Sequence, residues 1–441
     1  MNENIKLPEG WKKNFIEKDV TLISGLRPKG GALDKGIPSL GGEHITQNGK
    51  INFSYNNAKY IPDKFYKLMK KGKAEENDIL INKDGVNTGK VAILKEKFAE
   101  YIAINEHLFI IRSKKNFNQK YLFYWMFSRF GQNQIKERIS GSAQPGLTSK
   151  FIRDFIVFSP PLPEQHKIAE ILETVDEAIE KTDKIIEKYN RIKQGLMHDL
   201  LTKGIDENWQ IRNEKTHKFK DSPLGKIPEE WEVVRLGEVS FLKGRIGWQG
   251  LTTQEYLEDG KYYLITGVNF ENSKIKWESC FYVSEKRYNM DKNIQLKPED
   301  ILVTKDGTIG KVAYIDKLPK KATLGTGVFV LRSINNIYYP KYLYYVLTSF
   351  IFDKFIDNLK AGSTINHLYQ KDFVLFKILL PPIPEQERIA TVLSQIDEVI
   401  EKEKAYKEKL EGIKKGLMED LLTGKVRVNH LIEEESIDEI G

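Results

Sequence analysis

The chain has a single cysteine, Cys280, in 441 residues, which excludes a disulfide framework and any cysteine-based metal cluster. Its seven histidines are scattered, with no H-x-x-x-H spacing, an argument against a zinc enzyme. No stretch of ~18 uncharged apolar residues occurs, so no membrane-spanning helix is expected. The opening MNENIKLPEGWKKN has no apolar run behind its first lysines, so no secretory signal is read and the expected compartment is the cytoplasm. Net charge is also modest: 69 Lys+Arg against 62 Asp+Glu leave +7. A mild positive balance is compatible with a nucleic-acid partner, because each neutralised phosphate releases counterions, but does not demand one. The basic residues are spread out, apart from Lys64, Lys67, Lys70, Lys71 and Lys73, and the acidic end (Glu433, Glu434, Glu435, Asp438, Glu439) reads as a solvated tail. The hydrophobic share, 40%, is enough for real cores, and the length suggests about two to four domains.

What the chain does have is an internal repeat. Pro160-Pro161-Leu162-Pro163-Glu164-Gln165 returns as Pro381-Pro382-Ile383-Pro384-Glu385-Gln386. The same offset carries Ile168 to Ile389, Leu172 to Leu393, Asp176 to Asp397, and Gly195-Leu196-Met197 to Gly416-Leu417-Met418. Upstream, Tyr121-Leu122-Phe123-Tyr124 answers Tyr342-Leu343-Tyr344-Tyr345, and the openings LPEGW and IPEEW correspond. The regions around 26–60 and 245–280 match poorly. Each half is a variable body followed by a nearly constant tail.

The tail reads as a long helix. Proline is tolerated at helix starts and not inside, so the two proline clusters mark N-termini. Apolar residues then recur at heptad spacing, from Ile168, Ile171, Leu172 and Val175 through Ile185, Ile192 and Leu196, and again from Ile389 through Tyr406, Ile413 and Leu417. A helix of about 34 residues rises roughly 50 Å, or about 15 base pairs of duplex at ~3.4 Å each. Two related stripes in one chain are most simply satisfied by each other. Because the first helix leaves body one and the second leaves body two, the pair is expected to run antiparallel with an approximate two-fold axis.

Two loops in each body carry candidate chemistry. Lys83-Asp84-Gly85-Val86-Asn87-Thr88-Gly89-Lys90 lies between predicted strands 78–81 and 90–94, and is echoed by Lys305-Asp306-Gly307-Thr308-Ile309-Gly310-Lys311. The spacing is too short for a phosphate-cradling P-loop and a strand follows, which argues against ATP binding. A plain hairpin with glycines at positive φ accounts for the pattern. So does a DNA-contacting hairpin, in which Lys83, Asp84, Asn87, Thr88 and Lys90, with Lys305, Asp306, Thr308 and Lys311, meet phosphates and base edges. The second loop holds Ser142 and Gln144 in one body and Ser363, Thr364 and Asn366 in the other. Amides there can read adenine, and the same groups can equally cap a helix. Leu108–Ile111 reads as a further strand and Tyr121–Phe130 as an aromatic-rich helix.

Two divergent bodies, each followed by a PPLPEQ-like start, a long helix and a GLM-x-DLLT ending, resemble the specificity subunit of type I restriction-modification systems. The likeness runs from the LPEGW opening to about Val428, and the second body departs from it in having Gly362-Ser363-Thr364-Ile365-Asn366 opposite GSAQPGL. The resemblance implies a mixed α/β fold: two α/β target recognition domains joined by two long helices in an antiparallel coiled coil. In this chain the domains would span 1–158 and 227–379, the helices 159–205 and 380–427, with a linker at 206–226 and an acidic tail at 428–441. It implies double-stranded DNA, two methyltransferase subunits and motor-nuclease subunits as partners, and no membrane. No cofactor is expected in this chain; S-adenosylmethionine, ATP and magnesium would sit on the partners. Catalysis by the chain itself is the main rival, and its support is thin. The strings Ser159-Pro160-Pro161-Leu162 and Leu380-Pro381-Pro382-Ile383 lack the amide and aromatic of a methyltransferase element, and Glu299, Asp300 and Lys305 resemble a nuclease set only in one half. A tandem scaffold that binds proteins alone is the other rival.

Overall fold

The structure is a computed structural model and describes residues 7–55, 58–141, 145–246, 250–361 and 367–432. The chain divides into two compact units, Met1–Asp183 with Ala405–Gly441, and Lys184–Lys404.

The first unit contains β1 (Lys12–Phe15), β2 (Val20–Ser24), β3 (Ile37–Leu40), β4 (Lys59–Ile61), α1 (Asp63–Leu68), β5 (Ile79–Asn82), β6 (Val91–Ile93), β7 (Ala103–Ile104), β8 (Leu108–Ser113), α2 (Gln119–Phe127), α3 (Arg129–Glu137), β9 (Ile139–Ser140), β10 (Gly146–Leu147) and β11 (Ile156–Ser159). It is followed by the long helix α4 (Leu162–Thr202). An antiparallel sheet runs in the order β2-β8-β5-β6 and a smaller one β4-β3-β7, with β3 and β7 parallel. The central strands are apolar throughout because both faces are covered. Ile79, Ile81, Val91, Phe109 and Ile111 face the helices, while Leu80, Ala92, Leu108 and Ile110 pack towards Leu40 and Ile104 of the small sheet.

The second unit repeats this plan with β12 (Phe219–Ser222), β13 (Gly225–Pro228), β14 (Glu232–Arg235), α5 (Leu236–Val239), β15 (Ser240–Gly244), β16 (Tyr262–Ile265), β17 (Phe270–Glu271), β18 (Lys274–Ile275), β19 (Phe281–Val283), α6 (Glu285–Asn289), β20 (Ile301–Thr304), β21 (Val312–Tyr314), β22 (Lys321–Leu324), β23 (Val328–Ser333), α7 (Pro340–Leu347), α8 (Phe350–Ala361), α9 (Gln370–Phe373) and β24 (Lys377–Leu380), ending in α10 (Ile383–Leu422). Its two larger sheets are β15-β23-β20-β21 and β19-β16-β22. Each sheet has its counterpart in the first unit.

Three sequence expectations are refined. The long helices span 41 and 40 residues rather than about 34, because Pro163 and Pro384 occupy the first turn, where a missing N–H has no helical partner to lose. Each therefore rises about 60 Å. The helix expected over Tyr121–Phe130 breaks at Ser128, whose hydroxyl donates to Trp125 O and accepts from Gly131 N. A side chain at Gly131 would collide with the backbone of Trp125 and Met126. Residues 206–226 carry the start of the β12–β13 hairpin and a buried Arg212.

The pairing sense of the helices is visible inside each unit. In the first, Lys414 Nζ is 2.6 Å from Asp176 and Lys407 Nζ is 2.6 Å from Asp183, so rising numbers on α4 meet falling numbers on α10. In the second, Lys193 meets Asp397 at 2.6 Å. Ile168, Ala169 and Leu172 share a core with Met418, Leu421 and Leu422, as Met197, Leu200 and Leu201 do with Ile389, Ala390 and Leu393. Ile185, Ile192, Tyr406 and Ile413 of the expected stripe remain exposed.

The Pro-Glu-Gln element has a physical role at the start of each helix. Gln165 accepts from Asn118 N at 3.0 Å and donates to Pro160 O; Gln386 accepts from Tyr339 N at 2.8 Å and donates to Pro381 O. The glutamates are buried and face the segment that follows the other helix. Glu164 accepts from Arg427 Nε and Nη2 at 2.7 and 2.9 Å. Glu385 accepts from Arg212, from Ile205 N and from Trp231 Nε1. No helix among the described residues is long and apolar enough to cross a membrane.

Candidate nucleic-acid interface

The two duplicated hairpins are built by the same hydrogen bonds. In the first, Gly89 N donates to Asn82 O and Lys90 N to Asn87 O, with Gly85 at φ 76° and Gly89 at φ 87°. In the second, Gly310 N donates to Thr304 O, with Gly307 at φ 67° and Gly310 at φ 84°. Four left-handed glycines in equivalent turns are what the sequence motif requires. A buried polar side chain at the end of each preceding strand braces the turn. Asn82 donates to Asp84 O at 2.7 Å, and Thr304 donates to Thr308 O at 2.6 Å while accepting from Lys311 N.

The candidate side chains divide by what they already touch. Asn87 donates to Gly42 O, and Thr88 donates to Gly85 O and Pro145 O, so both serve the local backbone. Lys83 Nζ lies 5.2 Å from the Phe109 ring centroid, and Lys305 Nζ lies 5.1 Å from that of Phe329. Burial pushes the Lys305 pKa down, opposed by the charge of Asp306. Lys90 is half-buried, Lys311 and Thr308 are exposed, and neither lysine has an ion pair among the described residues. Ser142, Gln144, Ser363, Thr364 and Asn366 lie outside the described residues.

Asp84 and Asp306 are each paired with a histidine. Asp84 Oδ1 is 2.6 Å from His107 Nδ1, and Asp306 Oδ1 meets His367 Nδ1. Neither histidine was legible as a site residue, because the two come from positions that do not align in the repeat. Of the two phenylalanines under the lysines, Phe109 was legible as a strand residue and Phe329 was not read. In unit one, Lys64, Lys67, Lys70 and Lys71 are all exposed on and after α1, and Lys73 stands 4.9 Å over the Tyr66 ring.

The nuclease-like set dissolves in the structure. Asp300 is fully buried and held bidentately by Arg332 at 2.6 and 2.7 Å, just as Asp78 is by Arg112. Glu299 occupies a left-handed turn at φ 70°, as Asn77 does at φ 63°. Among the described residues no group of three or more His, Cys, Asp or Glu side chains could hold a metal ion.

Comparison with known proteins agrees with this duplicated plan. The chain is 30% identical to the MjaVIII specificity subunit of a type I restriction enzyme from Methanocaldococcus jannaschii, covering 97% of this chain and 95% of that one. It shares the fold of the crystallised S subunit of a type I restriction-modification system from M. genitalium, with a TM-score of 0.60 at 18% identity over 96% and 97% of the two chains. A second type I system structure, solved for complex assembly and conformational transition, matches with a TM-score of 0.54 at 18% identity over 96% and 100%. The profile of the type I restriction modification DNA specificity domain matches residues 29–190 and again 228–412. One domain match on each half, together with the near-complete relative, places the chain in a single group: it belongs to the family of type I restriction-modification specificity subunits.

Proposed function

We propose that each unit reads one half of a split, asymmetric DNA site, and that the two long helices set the number of unread base pairs between the halves. The observation that carries this reading is the unequal duplication: the same sheets, hairpins and Pro-Glu-Gln helix starts occur twice, while the sequences of residues 26–60 and 245–280 match poorly. Two different readers imply two different half-sites. The hairpin lysines and the exposed lysines near α1 supply phosphate contacts, which position a protein on duplex DNA and make binding salt-dependent. A 60 Å helix matches about 18 base pairs, room for two short half-sites and a spacer.

The chain's task in this reading is recognition, with the chemistry on its partners. Two methyltransferase subunits dock along the helices, bring S-adenosylmethionine and flip the target adenine out of the duplex. Motor-nuclease subunits add ATP- and magnesium-dependent translocation and cleavage, and the assembly works in the cytoplasm. Methylation mapping of the host genome by single-molecule sequencing, with the gene present and deleted, tests the whole proposal. The expected result is one bipartite motif whose methylation vanishes with the gene. Unchanged methylation, or a motif without a gap, refutes it, and a protein-only scaffold predicts no sequence preference in any selection assay.

A further inference from the structure

We propose that His107 and His367 are DNA-reading side chains, each presented by its hairpin aspartate, Asp84 or Asp306, as positioning residue. This rests on the hairpins facing DNA. The argument begins with an exchange between the units. Each hairpin runs between two neighbouring backbone segments. In the first unit, Lys83 N donates to His107 O at 2.9 Å, and Leu147 N donates to Lys83 O at 2.6 Å, with Asp84 bridged to Gly146. In the second, Lys305 N donates to Gly327 O at 2.9 Å, and Leu368 N donates to Lys305 O at 2.8 Å, with Asp306 bridged to His367. His107 and Gly327 are therefore counterparts, and so are Gly146 and His367. One neighbour is histidine and the other glycine in both units, but the two are swapped.

The swap delivers the same pair. In each unit a ring Nδ1 meets the carboxylate of the hairpin aspartate, although the histidine arrives from a different segment. Neither glycine is forced by its backbone. Neither has a positive φ, and an added Cβ would lie 3.8 Å from Lys83 O at Gly146 and 3.5 Å from Asp306 Cβ at Gly327, ordinary contacts. The chain has only seven histidines, and two of them fall on these matched places in bodies whose other details differ. A structural brace is a poor reason for that coincidence. His107 and Asp84 are 47% and 40% exposed, and His367 and Asp306 35% and 43%. Exposed pairs of this kind contribute little to stability.

The carboxylate fixes the chemistry of the ring. It engages Nδ1 and holds the ring in one orientation, which leaves Nε2 as the ring atom that meets a base edge. In the major groove Nε2 has a partner in either role: the exocyclic amines adenine N6 and cytosine N4 when it accepts, guanine O6 and N7 when it donates. Glu106, the charged group nearest His107 Nε2 at 3.5 Å, is tied to Arg27 at 3.2 Å. Against His367 stands the Tyr369 ring, 4.6 Å away, with Lys371 Nζ 5.6 Å from that ring.

The test uses the purified chain in complex with its methyltransferase subunits, with anisotropy binding to the mapped duplex and to every single-base variant of it. His107→Ala is expected to weaken cognate binding about tenfold and to flatten discrimination at one base pair of one half-site; His367→Ala is expected to do the same in the other half-site. Asp84→Asn, whose amide oxygen still accepts the Nδ1 proton, should keep most of the discrimination. Asp84→Ala should match His107→Ala, and the double variant should be no worse than either. Loss spread evenly over all duplexes, additive losses, or a lowered Tm with discrimination intact would overturn the inference. A wild-type complex without sequence preference would instead overturn the DNA-reading function beneath it.

Discussion

The antiparallel helix pair is held in each unit by a Tyr–Asp–Lys group, buried in the first and partly buried in the second, and breaking the first gives a sharp test. In the first unit Asp176 is 7% exposed, its Oδ1 takes Lys414 Nζ at 2.6 Å and its Oδ2 accepts from the Tyr124 hydroxyl at 2.8 Å. Lys414 Nζ also lies 4.9 Å from the Phe127 ring centroid, and its one ion pair among the described residues is with Asp176. Burial, and then the Asp176 charge, push the Tyr124 pKa far up, so this hydroxyl keeps its proton and goes on donating. Asp176→Ala strands an ammonium and a hydroxyl at once. Removing one partner of a buried pair costs about 3–5 kcal/mol, whereas an apolar pair of similar volume is close to neutral. Asp176→Leu with Lys414→Met should accordingly recover all but about 1 kcal/mol. With a urea dependence of about 3 kcal/mol per M, the single variant's midpoint falls by more than about 1 M. Hydrogen exchange should locate the loss in α2 and the start of α4 and leave the Lys193–Asp397 region protected. If the single losses simply add in the double variant, with coupling under about 0.5 kcal/mol, the buried-pair reasoning is wrong.

The Pro-Glu-Gln glutamates yield an asymmetric pair of tryptophan tests. Trp231 Nε1 donates to Glu385, whereas Trp11 Nε1 is buried without a hydrogen-bond partner among the described residues. Trp231→Phe should therefore cost about 1.5–3 kcal/mol in chemical denaturation, and Trp11→Phe much less. Arg427→Ala, which leaves Glu164 buried and uncompensated, should lower Tm and unprotect the start of α4 in hydrogen exchange, at a cost of about 3 kcal/mol. Cys280 is buried, and burial with the charge of Glu278 pushes its thiol up to about 12. A thiol reagent at pH 8 should react with it only after unfolding. Because the folded chain keeps this proton between pH 9.0 and about 12 while the unfolded one releases it, stability should fall as pH rises through that window. Four residues added to one long helix should lengthen the unread spacer in methylation mapping and leave both half-sites unchanged; altered half-sites would refute the ruler.

The repeat made most of the fold legible. Strands β5, β6 and β8, the hairpin turns, the helix starts and the antiparallel sense of the helices all follow from spacing that one sequence displays twice. Apolar periodicity could not reveal the break at Ser128, because Met126, Phe127 and Phe130 continue a helical spacing across it, and the stop comes from the Ser128 cap and the close approach at Gly131. The resemblance implied a linker at 206–226, yet its Arg212 is drawn inside by the buried Glu385. The candidate site was legible in part. The hairpin lysines and aspartates stood out by duplication, Asn87 and Thr88 also tie the hairpin to the backbone of Gly42 and Pro145, and His107 and His367 were hidden because duplication was the signal and they break it.

The pattern of constancy in the repeat follows from which residues have obligations elsewhere in the chain. Asp176 and Asp397, Lys193 and Lys414, Tyr124 and Tyr345, and Glu164 and Glu385 each satisfy a buried charge or polar group brought by a distant segment, so a change in one strands another. Such couplings carry costs of several kcal/mol, large beside the stability of a domain. The small sheets and the segments around them have lighter obligations: β3, β4 and β7, like β16, β19 and β22, pack within their own body, and the side chains of α1 are largely exposed. A reader of DNA can change its specificity only where substitution leaves no buried partner unpaired. The division between these two sets of residues follows in the main the division between what the two halves share and what they do not; Arg245 and Asn269, buried in the unmatched stretch and donating to Leu324 O and Ser279 O, are the exceptions.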